Sequence, residues 1–143
     1  MQDIKISKSL QFLLNLSKAE SVMTRRFDSR LGGGIGFSDF MILYHLSQAG
    51  SEGMRRTDLA EAIGLTASGV TRLLAPMEKI GLIKRLVDER DARVSYVAIA
   101  AGGRRLLTEK IEKAEMLSEE LILPPRRSSM KEFSEILDEV IAG

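Results

Sequence analysis

Apolar residues recur at intervals of three and four in three long segments near the ends of the chain, which is the spacing of one buried face of an α-helix. Pro124 and Pro125 separate the last two segments. The stripes are Phe12, Leu16, Ala19, Met23, Phe27 and Leu31 within residues 8–31; Leu107, Ile111, Ala114, Leu117 and Leu121 within 103–122; and Met130, Phe133, Leu137, Val140 and Ile141 within 128–141. The pattern predicts terminal helices that bury a common apolar seam.

Another helix is predicted at about residues 38–48, with Ser38 as its N-cap. The residues expected to face inward are Phe40, Ile42, Leu43 and Leu46. The glycine-rich segment 32–36 precedes this helix. Because it follows a helix and lacks the Gly-Lys-Ser/Thr ending of a phosphate-binding loop, we interpret it as a connector between helices.

Residues 56–80 contain two shorter helical patterns separated by a glycine. Thr57 is a suitable N-cap for the first, Gly64 can adopt the positive φ that ends it, and Thr66 can cap the second. The apolar positions are Leu59, Ala60 and Ile63, then Val70, Leu73, Leu74, Met77 and Ile80, before Gly81. Ala60, Gly64 and Val70 suit the close crossing of a helix-turn-helix, although any small α-hairpin could use the same three residues.

Two apolar, β-branched runs, residues 82–87 and 94–100, follow these helices. Between them lies the charged segment 88–93, with the sequence Asp-Glu-Arg-Asp-Ala-Arg. The arrangement predicts a β-hairpin with a charged tip, which is the wing of a winged helix.

Here the chain resembles the MarR (multiple antibiotic resistance regulator) family of bacterial transcription factors. The family's wing pattern, Asp-x-Arg-Asp-x-Arg, is met by Asp88, Arg90, Asp91 and Arg93, and its recognition helix is similar to residues 65–85. The resemblance implies a mainly α, winged helix-turn-helix fold with a short β-hairpin wing and terminal dimerisation helices. The expected organisation is a single domain of residues 1–143, with a DNA-binding lobe at 35–100 and dimerisation helices at 1–31 and 101–143.

The second helix departs from the family pattern at Ala75-Pro76-Met77, where many relatives carry Asp-Arg-Leu. Pro76 lacks a backbone N–H and is expected to kink the helix or loosen its second half. The arginine contact that relatives make to DNA from this position is not carried over to this chain.

Charge is distributed unevenly along the chain, although the formal net charge is only +1. Residues 55–105 carry ten basic and six acidic groups, whereas residues 106–143 carry five basic and nine acidic groups. A basic centre is typical of a segment that meets phosphate, although solvated surface charge explains most individual lysines.

Composition narrows the possible chemistry. The chain has 143 residues, 44% of them apolar, which suits one domain with a real core. It has no cysteine, which excludes disulfides, thiolate metal sites and thiol-based peroxide sensing, and its single histidine, His45, cannot build a typical zinc site. No serine has a credible base partner, so we expect no enzyme, no cofactor and no metal. No signal peptide and no membrane-spanning stretch is evident, so we expect a cytoplasmic protein.

The resemblance and the helix positions together predict a homodimer that places two recognition helices in successive major grooves of a near-palindromic operator. Arg72 is the candidate for a bidentate contact to guanine, and Arg90 is expected to enter the minor groove, held in position by Asp88. Arg93 is expected to pair with Asp88 or Asp91. The predicted DNA-binding residues are Arg55, Arg56, Thr66, Ser68, Thr71, Arg72, Asp88, Arg90 and Arg93.

The resemblance also implies a repressor that is relieved by a small ligand, since MarR-like proteins often bind anionic aromatic compounds between the dimer helices and the DNA-binding lobe. Candidate lining residues are Phe12, Leu16, Phe37, Phe40, Met41 and Tyr44, although apolar residues at helical spacing are more often simply core. A second hypothesis is a winged helix that binds a protein partner in place of DNA. Charge reversal at Arg72 and Arg90 distinguishes the two hypotheses. It would abolish DNA binding if these residues contact DNA and would leave it untouched if they face a protein partner.

Overall fold

The structure is a computed structural model that describes residues 2–91 and 93–143. Met1, at the start of the predicted first dimerisation segment, and Ala92, in the predicted wing tip, lie outside the described residues. The expected mainly α, winged helix-turn-helix fold is confirmed. The elements are α1 (Lys8–Arg30), α2 (Phe37–Ala49), a short 3₁₀ turn (Gly50–Glu52), β1 (Met54–Arg55), α3 (Arg56–Ile63), α4 (Ala67–Lys79), β2 (Ile83–Val87), β3 (Ser95–Ile99), α5 (Ala101–Leu121), α6 (Pro124–Arg127) and α7 (Met130–Ala142).

The predicted wing is an antiparallel hairpin of β2 and β3, with Ile83 opposite Ile99 at its base and Val87 opposite Ser95 toward its tip. The short strand β1 pairs with the other edge of β3, so that the strand order is β1-β3-β2. Because α3 begins directly after β1, the sheet joins the start of the helix-turn-helix to the wing.

The core is built around α2, whose Ile42, Leu43 and Leu46 are completely buried. Side chains from the two helices of the helix-turn-helix close over it, and burial of each contributes roughly 1.5–3 kcal/mol. Fully buried residues from those helices are Leu59, Val70 and Leu74. The predicted inward face of α2 and the central stripes of α3 and α4 are therefore confirmed.

Two predicted N-caps are wrong. Helix α2 begins at Phe37, and its first amides are satisfied by carboxylates: Gly36 N–H donates to Asp39 Oδ2 (3.0 Å) and Phe37 N–H donates to Asp28 Oδ1 (2.7 Å). Ser38 therefore lies inside the helix. Thr57 also lies inside its helix, because α3 starts at Arg56 immediately after β1.

The terminal helices keep much of their apolar surface exposed in the single chain. In α1 the stripe is buried only at its C-terminal end, at Phe27 and Leu31, whereas Phe12 is 37% exposed. Helix α7 buries none of its residues, and Phe133 is 43% exposed. Two residues that the sequence assigned to buried stripes are also exposed, Ile80 at the end of α4 (68%) and Ile111 in α5 (42%).

An ion pair joins the C-terminal end of α1 to the C-terminal end of α5. The Arg30 guanidinium donates through Nη1 to Glu120 Oε2 and through Nη2 to Glu120 Oε1, the second at 2.9 Å. This bidentate hydrogen bond lowers the pKa of the Glu120 carboxyl and raises the pKa of Arg30. Both side chains are about 40% exposed, so the pair orients the two helices more than it stabilises the fold.

Candidate nucleic-acid interface

The turn between α3 and α4 has the geometry that the sequence predicted. Gly64 ends α3 in the left-handed conformation (φ 70°, ψ 30°), where a side chain would be strained. Leu65 N–H then donates to the Ala60 carbonyl (3.0 Å), and the Thr66 hydroxyl accepts from Gly69 N–H (3.1 Å) to cap α4. The turn therefore presents the N-terminal end of α4 as a recognition helix.

The predicted DNA-contacting side chains of α4 fall into two groups. Thr66 and Ser68 lie at the exposed start of the helix, their hydroxyl oxygens 3.3 Å apart, and Arg72 is exposed one turn later. Among the described residues, Arg72 makes no ion pair and no side-chain hydrogen bond. Thr71 differs, because its hydroxyl donates to the Ala67 carbonyl (3.0 Å) and accepts from Arg56 Nη1 (3.2 Å). Its proton and one of its two lone pairs are thus used within the protein.

Pro76 lies inside a single helix. Helix α4 continues through it to Lys79, and Met77, the next residue, is 97% buried in the core. Proline removes the amide that would bond to the Arg72 carbonyl, but its ring is exposed and its own carbonyl accepts from Ile80 N–H (3.2 Å). The second half of the recognition helix is therefore packed and helical on both sides of the proline.

Two aspartates shape the wing tip. Asp88 Oδ1 accepts from the backbone N–H of Arg90 (2.8 Å), and Asp91 Oδ1 accepts from the backbone N–H of Arg93 (3.0 Å). Both are Asx turns, in which a short carboxylate orders the backbone two residues later. Asp88 therefore contacts Arg90 through the backbone, and the Arg90 side chain is exposed.

The Arg93 side chain pairs with Asp91, one of its two predicted partners. Arg93 Nε donates to Asp91 Oδ1 (3.1 Å) and Nη2 donates to Oδ2 (3.2 Å). This side-chain hydrogen bond, with the backbone one from the same residue, lowers the pKa of the Asp91 carboxyl. No comparable partner holds the Arg90 guanidinium among the described residues. At the wing tip, the Arg93 side chain is therefore paired and the Arg90 side chain is exposed.

Arg55 and Arg56, which the sequence assigned to phosphate contacts, are bound to other elements of the lobe. Arg55 Nε donates to Tyr96 Oη (3.3 Å) across the β1–β3 pair, its guanidinium lies 5.8 Å from the centre of the Tyr96 ring, and this hydrogen bond raises the pKa of Arg55. Arg56 donates from Nε to Ser95 Oγ (3.1 Å) as well as to Thr71. Sequence reasoning missed Ser95 and Tyr96, because no local pattern marks a residue whose partner lies about 40 positions away.

The six residues proposed to line a ligand cleft are not brought together in one cavity of the described structure. Phe37 packs on Phe27, with ring centroids 4.8 Å apart, and Phe40 packs against the core. Phe12 lies elsewhere, in an open groove of about 430 Å³ between α1 and α7. That groove is lined by Lys8, Ser9, Phe12, Leu13, Ile136 and Val140.

The described residues offer neither a metal-binding cluster nor a membrane-spanning helix. Among the described residues, no group of three or more His, Cys, Asp or Glu side chains could hold a metal ion. None of their helices combines the length and the apolar character needed to cross a membrane.

Comparison with known proteins places these features in context. The model of the MarR family matches residues 38–95, which include both helices of the helix-turn-helix and most of the wing. An uncharacterised HTH-type transcriptional regulator of Bacillus subtilis, YfiV, is 29% identical over 91 residues, which cover 62% of this chain. The match spans 57% of that relative, little more than half of its length.

Solved structures extend the similarity to the terminal helices. The transcriptional regulator BldR from Sulfolobus solfataricus is 28% identical, with a TM-score of 0.85 and 99% of each chain covered. MepR of Staphylococcus aureus, solved in complex with DNA, has a TM-score of 0.76 at 21% identity, covering 96% of this chain and 98% of its own. CouR from Rhodococcus jostii, solved with p-coumaroyl-CoA, has a TM-score of 0.80 at 21% identity, covering 97% and 96%. At such low identity, the last two show the shared fold alone.

Proposed function

We propose that this chain is a member of the MarR family and a sequence-specific, DNA-binding transcriptional regulator that acts as a homodimer. The observation that carries the proposal is that the recognition helix and the wing tip each present an exposed arginine. Arg72 projects from the recognition helix and Arg90 from the wing tip, and each is without an ion-pair partner among the described residues. Because unpaired cations on a helix-turn-helix and its wing attract phosphate and base edges, their placement suits duplex DNA.

Residues of the two elements divide the work of recognition in this proposal. Arg72, with Ser68 at the start of α4, meets base edges in the major groove. Arg90 enters the adjacent minor groove, where it reads groove width and negative potential more than base identity. Thr66 and Asp88 hold the backbone of the two reading elements, and Arg93 is engaged by Asp91.

The unburied apolar faces of the terminal helices support a dimer. Helix α7 has an apolar stripe with no buried member, and it lies beside the exposed N-terminal half of α1. An apolar face of this extent is unusual on a monomer and marks an interface. We propose a second copy as its occupant, since a two-fold dimer also supplies the second recognition helix of a near-palindromic operator. Residues 1–31 and 101–143 are then the dimerisation segments, and 35–100 the DNA-binding lobe.

Repression relieved by a small ligand remains part of the proposal. CouR is known with p-coumaroyl-CoA bound, and PcaV from Streptomyces coelicolor with its natural ligand. The proposed site lies between the dimerisation helices and the DNA-binding lobe. Candidate residues there are Leu16 on α1 and Met41 and Tyr44 on α2. Tyr44 is 47% exposed, so it is the candidate with surface to offer a ligand. A regulator of this kind acts on the chromosome, and we propose the cytoplasm as its compartment.

The decisive experiment is selection of bound sequences from random duplex DNA with the wild-type protein and with the double variant Arg72→Glu/Arg90→Glu. We expect the wild type to enrich a near-palindrome with half-sites about one helical turn apart, 10–10.5 bp from centre to centre. The double variant should enrich nothing while keeping the wild-type circular dichroism spectrum and melting temperature. Failure of the folded wild type to enrich any duplex would favour the alternative, a winged helix that binds a protein partner.

A further inference from the structure

Arg56 connects the recognition helix to the wing. It is the first residue of α3 and is partly buried between the two elements. Its Nε donates to Ser95 Oγ at the start of β3 (3.1 Å), and its Nη1 donates to Thr71 Oγ1 in the middle of α4 (3.2 Å). These partners are 39 and 15 residues away, so one guanidinium joins the start of α3 to the next helix and to a strand much later in the chain.

The two hydroxyls that accept from Arg56, those of Thr71 and Ser95, have defined surroundings. The Thr71 hydroxyl donates its proton to the Ala67 carbonyl (3.0 Å), which leaves an oxygen lone pair available to accept from Arg56. Ser95 is paired in register with Val87 at the last step of the hairpin before the wing tip. The connection therefore holds the wing near its tip, which is the part of the hairpin that leads to Arg90.

We infer that Arg56 is a positioning residue that fixes the wing against the recognition helix, and that it is not a phosphate contact. The inference rests on the proposed function and assigns Arg56 and Thr71 a different role from the DNA contacts expected from the sequence. A planar guanidinium with donors at a fixed angle can reach two hydroxyls at once, whereas a lysine ammonium on a flexible stem is poorly suited to do so. The spacing between Arg72 and Arg90 is then set before DNA arrives, which reduces the ordering that binding must impose.

The two roles for Arg56 predict different behaviour in salt. A phosphate contact releases counterions, so its loss lowers the magnitude of the slope of log K against log salt by about 0.9 for each site, or about 1.8 for a dimer. Loss of a positioning contact weakens binding at every salt concentration and leaves the slope unchanged. Arg56→Lys also distinguishes the two roles. Lysine keeps the positive charge, which is sufficient for a phosphate contact, but it cannot replace the double hydrogen bond of the guanidinium.

The test uses Arg56→Ala, Arg56→Lys, Ser95→Ala and Thr71→Val, with the double variants Arg56→Ala/Ser95→Ala and Arg56→Ala/Thr71→Val, on the operator that the wild-type protein selects. Arg104→Ala and Arg104→Lys serve as matched controls, since Arg104 is an exposed arginine at the start of α5. We expect both Arg56 variants to lose about tenfold in affinity with a wild-type salt slope, the effect of one or two lost hydrogen bonds. Each double variant should lose clearly less than the product of its single losses. Wild-type affinity for Arg56→Lys with a shallower slope for Arg56→Ala would overturn the inference.

Amide hydrogen exchange of the DNA-free protein provides a readout that does not depend on DNA binding. We expect Arg56→Lys and Ser95→Ala to accelerate exchange in β2 and β3 while the buried amides of α2 keep their wild-type protection. Unchanged exchange in the hairpin would overturn the inference even if the protein binds DNA. If the two variants show accelerated hairpin exchange but the wild type selects no DNA, the proposed function is contradicted and the connection through Arg56 still stands.

Discussion

The Asp91 carboxylate engages Arg93 three times at the wing tip, through the backbone N–H at 3.0 Å, Nε at 3.1 Å and Nη2 at 3.2 Å. Arg90, three residues earlier, donates only its backbone N–H, to Asp88 Oδ1 (2.8 Å), among the contacts of the described residues. Two arginines of one motif therefore have different roles. Arg93 helps to shape the tip, and Arg90 is available to DNA.

The Asp91–Arg93 contact should be visible as a pH dependence. Because hydrogen bonding to Arg93 lowers the pKa of Asp91, its stabilising effect on the wing is fully present above about pH 3.9, the unfolded value for aspartate. It is lost as the pH falls through the lower pKa of the folded protein. Carboxyl NMR titration should place Asp91 below an ordinary aspartate, and Arg93→Gln should move it back toward the ordinary value. An Asp91 that titrates normally in the wild type would contradict the contact.

Binding to DNA should weaken steeply with salt. If the two subunits together neutralise about 6–10 phosphates, log K should fall against log salt with a slope of about −5 to −9. Fluorescence anisotropy of a labelled operator between low and moderate salt measures the slope directly. A slope near zero is incompatible with a phosphate-contacting protein.

Arg72 and Arg90 should fail in different ways. Arg72→Ala should cost about 1–3 kcal/mol and relax base preference at one position of each half-site, because a bidentate base contact is lost. Arg90→Ala should weaken binding to most sequences, with the greatest loss where flanking A·T tracts narrow the minor groove. A matrix of both variants against operators with altered core bases and altered flanks provides the measurement. Identical patterns of loss would refute the two roles.

Phe133→Glu should separate the dimer without unfolding the chain. Phe133 is 43% exposed in the single chain, so a carboxylate there remains solvated in a monomer but would be buried without a partner in the seam. Sedimentation equilibrium should show a dimeric wild type and a monomeric, folded variant. A soluble, folded wild-type monomer at micromolar concentration would contradict the proposed seam.

Leu117→Glu is the matched contrast, since Leu117 is 1% exposed within one chain. The two residues lie on stripes that look alike in the sequence. Because Leu117 is buried, Leu117→Glu should lower the free energy of unfolding by several kcal/mol. Phe133→Glu should remove only the dimer. Thermal unfolding of the two variants distinguishes these outcomes, and equal destabilisation would mean that α7 belongs to the core of a single chain.

The sequence by itself determined the helices, the turn and the hairpin, because these depend on local spacing. The periodic stripes located α4 and α5, Gly64 marked the position of positive φ in the turn between α3 and α4, and Thr66 marked the cap of the recognition helix. The wing motif indicated Asp88 as the partner of Arg90 and Asp91 as one of two possible partners of Arg93, and the structure has both contacts between residues two positions apart.

Tertiary structure decided which partners those residues have. Arg56 and Thr71 are both polar residues of a helix-turn-helix, and nothing local indicates that they bond to each other or that Arg56 also bonds to Ser95 at the start of β3. Ser38 and Thr57 are suitable N-caps by residue type, yet both lie inside their helices. Helix α2 begins at Phe37, where carboxylates accept from the first amides, and α3 begins at Arg56, directly after β1. Ile80 and Leu117 continue similar stripes but differ in burial, because periodicity places a residue on a face and only packing decides whether another element covers it.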